Sequence, residues 1–193
     1  MSNLLKKLLT EFKYLEQNSI NIKKGSIFLA YPGENKDGRN YIDEAIKKGA
    51  GAIIYDPFGF KWDAKWKLPN LPVKNLKNSI SNIASEFNNN PSRKINLIGV
   101  TGTNGKTSSV YWITQCLKNL ERKATMISTI GYGLFDNLQP TTNTTPDAVT
   151  IQNILNNFVI NKVQDACIEV SSHGIKQGRV SGIDFNVRLF TNL

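Results

Sequence analysis

Histidine occurs once, cysteine and methionine twice each, and no apolar run approaches the length of a membrane span. Cys116 and Cys167 stand far apart, with neither Cys-x-x-Cys nor any other metal-ligand spacing, so a thiolate metal centre is not expected. Each reads as a small core residue in a reducing compartment, the first in a helix and the second in a strand. Lys6, Lys7, Glu11 and Lys13 interrupt the leucines near the amino end before a secretory apolar core can form. The expected location is therefore the cytoplasm, without membrane insertion. Acidic residues are outnumbered 15 to 24, for a formal net charge of +9. The excess is mostly scattered lysine, and no basic run is interleaved with aromatics, which argues against nucleic acid and for a small phosphorylated ligand.

With 40% hydrophobic and 20% charged residues the chain has the makings of an ordinary globular protein with one large core or two small ones. Leu4, Leu5, Leu8, Leu9, Phe12 and Leu15 recur at helical spacing and predict an amphipathic helix over residues 3–15, packed on its own domain. An apolar strand at 27–31 runs into a polar loop at 32–39, a helix at 41–48 and a short strand at 52–55, a βαβ rhythm. Residues 56–73, with Trp62 and Trp66, read as an irregular connection. Leu76, Ile80, Ile83, Ala84 and Phe87 form a helical stripe that ends in Asn88-Asn89-Asn90-Pro91-Ser92, the expected linker between domains 1–92 and 93–193.

Beyond the linker, strands are expected at 95–100, 124–128, 165–170 and 185–190. Helices are expected at 108–120 and after Thr145-Pro146-Asp147, with Thr145 as the N-cap. Gly131-Tyr132-Gly133 reads as a turn and Ser171-Ser172-His173-Gly174 as a loop, whose histidine is expected to be hydrogen-bonded rather than catalytic. The alternation predicts an α/β chain: a small N-terminal α/β domain, then a doubly wound, mostly parallel sheet with helices on both faces.

The most informative stretch is Gly99-Val100-Thr101-Gly102-Thr103-Asn104-Gly105-Lys106-Thr107. An apolar strand that ends in a Gly-rich loop and turns into a helix aims backbone N–H groups and the positive end of the helix dipole at one point, which suits a phosphate. Lys106 suits the outer phosphates of a nucleotide and the Thr107 hydroxyl suits Mg²⁺. The spacing departs from G-x-x-x-x-G-K-[ST], because Val100 stands where the first glycine belongs and Gly99 lies one residue further off. In open parallel sheets ligands sit beyond the carboxyl ends of the strands. Glu169, near the end of one strand, can then face the Mg²⁺ that Thr107 touches, provided the two strands are neighbours; the alternative is a residue turned to solvent.

Three motifs in this order, the loop at 99–107, Asn143-Thr144-Thr145-Pro146, and Glu169-Val170-Ser171-Ser172-His173-Gly174 with Gln177 and Arg179, resemble the Mur ligases of peptidoglycan assembly, and within them the MurE type. The closing Thr191-Asn192-Leu193 fits as well, and the resemblance covers nearly the whole chain. It implies that the first domain holds the uridine end of a UDP-N-acetylmuramoyl-dipeptide through Ser19, Glu34, Asn35 and Lys36. The central domain would hold ATP through Gly102, Thr103, Asn104, Gly105, Lys106, Thr107 and Ser108, with Mg²⁺ on Thr107 and Glu169. Asn143, Thr144, Thr145, Ser171, Gln177 and Arg179 would hold the muramoyl-dipeptide, and Lys106 and Glu169 would carry catalysis. The implied reaction is attack of the dipeptide carboxylate on the γ-phosphate of ATP, followed by displacement of phosphate from the acyl phosphate by the amine of meso-diaminopimelate or L-lysine.

Where relatives read Asp-Ser-Arg, this chain has Asn18-Ser19-Ile20 and lacks the arginine. A monomer is expected. Family members continue beyond the point where this chain stops, so the resemblance also implies a partial protein, weak or inactive by itself. A folylpolyglutamate synthetase-like ligase and a nucleotide-binding fragment without turnover are the competing readings.

Overall fold

A computed structural model describes residues 3–141 and 143–193; Met1, Ser2 and Thr142, the last within the polar run read as leading into a helix, lie outside the described residues. The chain forms two compact units, Met1–Ile80 and Ser81–Leu193.

Among the described residues, the first unit is built on four parallel strands in the order β1-β2-β3-β4: β1 (Tyr14–Glu16), β2 (Ser26–Ala30), β3 (Ala50–Tyr55) and β4 (Asn70–Pro72). β2 is buried along its whole length, as a parallel strand is when both faces are covered. On one face Phe28 and Ala30 pack with Ile53, Tyr55 and with Ile42 and Ala45 of α2 (Ile42–Lys47). The segment after β3 completes that cover, with Trp62 stacked on Tyr55 at 5.0 Å and Phe60 on Trp66 at 6.2 Å.

Helix α1 (Asn3–Glu11) is shorter than the leucine spacing predicts: it buries Leu5, Leu8 and Leu9 and stops. Leu15 is instead a β1 residue opposite Ile27 and only 1% exposed. Pairing with β2 buries that side chain and satisfies its backbone together, which one more helical turn would not do. β4 falls in residues read as irregular; it is an edge strand, where a proline is tolerated. Helix α3 (Leu76–Phe87) starts with the Leu76 N–H donating to Oδ2 of Asp56 at 3.0 Å, and the division between the compact units runs within it, upstream of residues 88–92.

The second unit carries six strands in the order β10-β5-β9-β6-β7-β8 among the described residues. β5 (Asn96–Thr101), β6 (Ala124–Ser128), β9 (Asp165–Glu169) and β10 (Val187–Phe190) are parallel; β7 (Gly131–Leu134) and β8 (Asn137–Gln139) run antiparallel. Helix α5 (Ala148–Ile160) covers one face, where Ile151, Ile154, Leu155 and Phe158 join Leu97, Ile127, Ala166 and Ile168. Helix α4 (Lys106–Asn119) covers the other, where Val110 joins Val100, Met126 and Cys167. This is the doubly wound arrangement expected, and each fully buried Leu or Ile adds roughly 1.5–3 kcal/mol to it. Cys116 departs from expectation: it is exposed, because it lies off the α4 stripe formed by Val110 and Thr114.

Three local readings are corrected. Residues 131–133 are strand β7, and the turn is Thr129-Ile130, since Ser128 pairs with Gly131. Ladders to β6 and β8 on either side outweigh the poor strand propensity of glycine. Asp147, not Thr145, caps α5, accepting the N–H groups of Val149 and Thr150 at 3.1 and 3.0 Å. The loop at 171–174 is the start of α6 (Ser172–Lys176), capped by the Ser171 hydroxyl, which accepts from the Gly174 N–H. β10 forms one edge of the sheet, with Val187, Leu189 and Phe190 exposed.

Candidate functional site

β5 ends at Thr101 and α4 begins at Lys106, so residues 102–105 connect the carboxyl end of a central parallel strand to a helix N-terminus. Gly105 is the helix N-cap, with a left-handed φ of 79°. Gly102 has a φ of 138°, and a Cβ there would overlap the Thr191 hydroxyl and stand 2.9 Å from the carbonyl oxygen of Asn192. Lys106 folds back over the loop, its Nζ donating to the carbonyls of Gly102 at 2.8 Å and Thr103 at 2.9 Å. From behind, Asn192 accepts the Thr103 N–H on its carbonyl at 3.1 Å and the Asn104 N–H on Oδ1 at 3.0 Å.

Glu169 is brought to this loop by strand pairing, because β9 lies beside β5 with Val100 opposite Glu169. The Thr107 hydroxyl donates to its Oε2 at 2.9 Å. Glu169 is only 2% exposed, so the solvent-facing alternative does not hold. The same oxygen receives the N–H of Thr129 at 3.0 Å and its hydroxyl at 3.1 Å, and that hydroxyl lies 2.9 Å from the hydroxyl of Thr144.

Among the described residues Glu169 forms no salt bridge, and a buried carboxylate without a cation is costly. A hard divalent cation fits this donor set of one carboxylate and a hydroxyl, the rest of its shell being left for phosphate oxygens and water. No group of three His, Cys, Asp or Glu among the described residues could hold a metal by itself.

Next to Glu169 the motif residues gather. The buried Thr145 hydroxyl donates to the Glu169 carbonyl at 2.9 Å and accepts the Ser171 N–H at 2.9 Å. Arg179 donates from Nη1 to the Thr145 carbonyl and from Nε to Oε1 of Gln177 at 2.8 Å. Thr144, Thr145, Ser171, Gln177 and Arg179 thus form one cluster around Glu169. Asn143 lies at the start of that stretch, its carbonyl accepting the Thr141 hydroxyl at 2.9 Å. His173 is exposed on α6.

In the first unit Ser19 is buried, with its hydroxyl on Oε2 of Glu44 and its carbonyl accepting from Nζ of Lys48, both at 3.2 Å. Glu34, Asn35 and Lys36 are exposed, and Glu34 pairs with Lys77 at 3.6 Å. Their loop is anchored by Arg39, which binds Asp37 from Nη2 at 2.7 Å and donates from Nη1 to the carbonyls of Asp56 and Phe58. The guanidinium holds the Asp37 carboxyl below its usual range. Ser19 and the 34–36 loop therefore have separate supports.

Thr129 was not among the residues singled out from sequence, and Asn192 was named there only within the closing Thr191-Asn192-Leu193, with no role. The signal for Thr129 is a polar residue directly after a buried strand of a parallel sheet, where ligands collect. An open cavity of about 760 Å³, lined by Arg93, Lys94, Asn96, Arg122, Lys162 and Gln164, lies at the opposite, amino ends of β5 and β9 and contains none of the predicted site residues.

The family model described as Mur ligase middle domain matches residues 100–193, and that described as Mur ligase family, catalytic domain, matches residues 11–88. The UDP-N-acetylmuramoyl-L-alanyl-D-glutamate–2,6-diaminopimelate ligase of Chromobacterium violaceum is 42% identical over 98% of this chain and 39% of its own length. That of Nitrosomonas europaea is 41% identical over 98% of this chain and 36% of its own. The chain thus spans well under half the length of these curated relatives.

A solved structure of a ligase with the same description aligns with a TM-score of 0.78 at 26% identity, covering 94% of this chain and 36% of that one. The MurF ligase of Thermotoga maritima, solved in complex with ADP, shares the fold with a TM-score of 0.64 at 23% identity, over 100% of this chain and 39% of that one. Matched in series from residue 11 to residue 193, the two domain types settle the kinship: the chain belongs to the Mur ligase family.

Proposed function

We propose that the chain is the UDP-substrate-binding and ATP-binding part of an amide-bond ligase that adds meso-diaminopimelate to UDP-N-acetylmuramoyl-L-Ala-D-Glu. The observation that carries this is the 2.9 Å bond between Thr107 and the buried Glu169, at the carboxyl ends of adjacent parallel strands and beside the cluster of Thr144, Thr145, Ser171, Gln177 and Arg179. The choice of diaminopimelate over L-lysine follows the curated relatives, whose names carry it.

In this reading residues 1–92 bind the uridine end and 93–193 bind ATP, a division supported by family matches that stop at 88 and resume at 100. Ser19, Glu34, Asn35 and Lys36 serve the uridine end, and Asn143 joins the substrate cluster. Gly102, Gly105 and Ser108 offer backbone N–H groups to the phosphates around the start of α4, while Thr103 and Asn104, whose N–H groups donate to Asn192, shape the loop around them. Lys106, released from the Gly102 and Thr103 carbonyls, places its ammonium against the transferring phosphoryl group, where positioned charge contributes most. Thr107 and Glu169 would hold Mg²⁺, which when bound neutralises phosphate charge. Arg179 offers a planar fork to a substrate carboxylate or phosphate. The reaction passes through an acyl phosphate on the dipeptide carboxylate. The protein is proposed to work as a cytoplasmic monomer; no helix among the described residues is long and apolar enough to cross a membrane.

The test is phosphate release from ATP, measured with the UDP-dipeptide and diaminopimelate added singly and together, alongside calorimetry of ATP and UDP-dipeptide binding. Release that requires both substrates establishes the ligase. Binding of both nucleotides without turnover leaves a binding role for these 193 residues, and absence of ATP binding sinks the reading.

A further inference from the structure

We propose that Thr129 is a positioning residue for the metal-facing carboxylate: it fixes Glu169 and ties it to the loop that carries Thr144. The inference rests on the reading of the 102–108 loop as an ATP site with Mg²⁺ at Thr107 and Glu169.

Glu169 lies at the end of β9, and its carboxylate could swing about its side-chain bonds if Thr107 were its one partner. Thr129, in the two-residue turn between β6 and β7, adds two donors to the same oxygen, its N–H at 3.0 Å and its hydroxyl at 3.1 Å. Three donors converging on Oε2 fix the orientation of the group and leave Oε1 clear of them. Two of the three come from one residue on a neighbouring strand end, so the carboxylate is clamped from both sides, by α4 through Thr107 and by β6 through Thr129. Outer partners of this kind orient a metal-binding carboxylate and raise the affinity of the site.

The proton count extends the chain of contacts. A carboxylate only accepts, and a hydroxyl has one proton to give. The Thr129 hydroxyl gives its proton to Glu169, so the 2.9 Å contact with Thr144 is donated by Thr144. Thr144 is thereby tied through Thr129 to the carboxylate, and it presents lone pairs rather than a proton to whatever lies in front of it. No such role follows for the neighbouring Ile130, whose exposed side chain has no polar group to offer.

The experiment compares ATP affinity with Mg²⁺ and with EDTA for the 193-residue chain and for T129V and T129S, by calorimetry, with circular dichroism as a check of folding. Thr129 is exposed, and both variants keep its N–H. The wild-type chain is expected to bind ATP more tightly with Mg²⁺. T129V should lose roughly tenfold of that enhancement, with its affinity in EDTA unchanged, because a hydroxyl bonded to a charged group and supporting a metal ligand is worth about that much. T129S should stay within about twofold of wild type. Full enhancement in T129V, an equal loss with and without Mg²⁺, or a T129S loss as large as that of T129V overturns the role of Thr129. Wild-type ATP binding that ignores Mg²⁺ instead overturns the nucleotide-site reading, and the inference with it.

Discussion

The backbone N–H of Asn104 donates to Oδ1 of Asn192 at 3.0 Å, and the Asn192 amide donates back to the Asn104 carbonyl at 3.1 Å. One carboxamide, 88 residues further along the chain, therefore grips both backbone polar groups of a residue in the loop between β5 and α4. Asn192→Ala should speed hydrogen exchange at the Asn104 amide and weaken ATP binding by roughly tenfold, the worth of one or two neutral hydrogen bonds. Exchange mass spectrometry and calorimetry read the two effects. Unchanged protection at Asn104 would show that the loop holds its shape unaided.

Lys106→Ala should cost at least tenfold to a hundredfold in ATP affinity, as expected of a charge-assisted contact to phosphate. Binding of the UDP-dipeptide to the first unit should be spared. Calorimetry with each ligand separately checks both halves, and an ATP affinity equal to wild type would remove the loop from the proposed site.

Gly102→Ala should destabilise the second unit by about 1–3 kcal/mol and abolish tight ATP binding. The φ of 138° is costly for any residue with a Cβ, and the added carbon would stand 2.9 Å from the Asn192 carbonyl oxygen. Urea titration followed by tryptophan fluorescence gives the stability change. A midpoint at the wild-type value would contradict the close packing of residues 191–192 behind the loop.

Thr145→Val keeps the shape of a buried residue and deletes the hydroxyl that joins the Glu169 carbonyl to the Ser171 N–H. Two backbone groups lose their partner, and the expected loss is about 1–3 kcal/mol in the same titration. Thr145→Ser should recover most of it.

Burial raises the Cys167 thiol from 9.0 to about 11. In the unfolded chain the thiol ionises at its ordinary value, so the stability tied to keeping it neutral is complete below pH 9.0 and fades as pH rises through about 11. Comparison with Cys167→Ala isolates the effect: the wild type should lose about 2–3 kcal/mol relative to the variant across that window. In a second reading of the same contrast, a maleimide at neutral pH should label the exposed Cys116 and leave Cys167 unmodified in the folded state.

Local chemistry by itself determined much of this protein. The apolar run and the Gly-rich loop before Lys106 announce a strand, a phosphate-suited turn and a helix. The stripes of α3 and α5 are visible at their helical spacing, and residues 124–128 are the strand they were read to be. Each depends on neighbours within a few positions, so a linear reading suffices. The tertiary structure decided the rest through pairings far apart in sequence. Leu15 leaves its helical pattern because Ile27 lies across from it, and residues 131–133 become a strand because β6 and β8 flank them. Thr145 gives up the helix cap to Asp147 because its hydroxyl oxygen accepts the Ser171 N–H instead. Sequence could place Thr107 and Glu169 near two strand ends. Only the adjacency of β5 and β9 set them 2.9 Å apart, and only the turn after β6 brought in Thr129. Which strands are neighbours is an outcome of the whole core closing, and no window along the chain contains it.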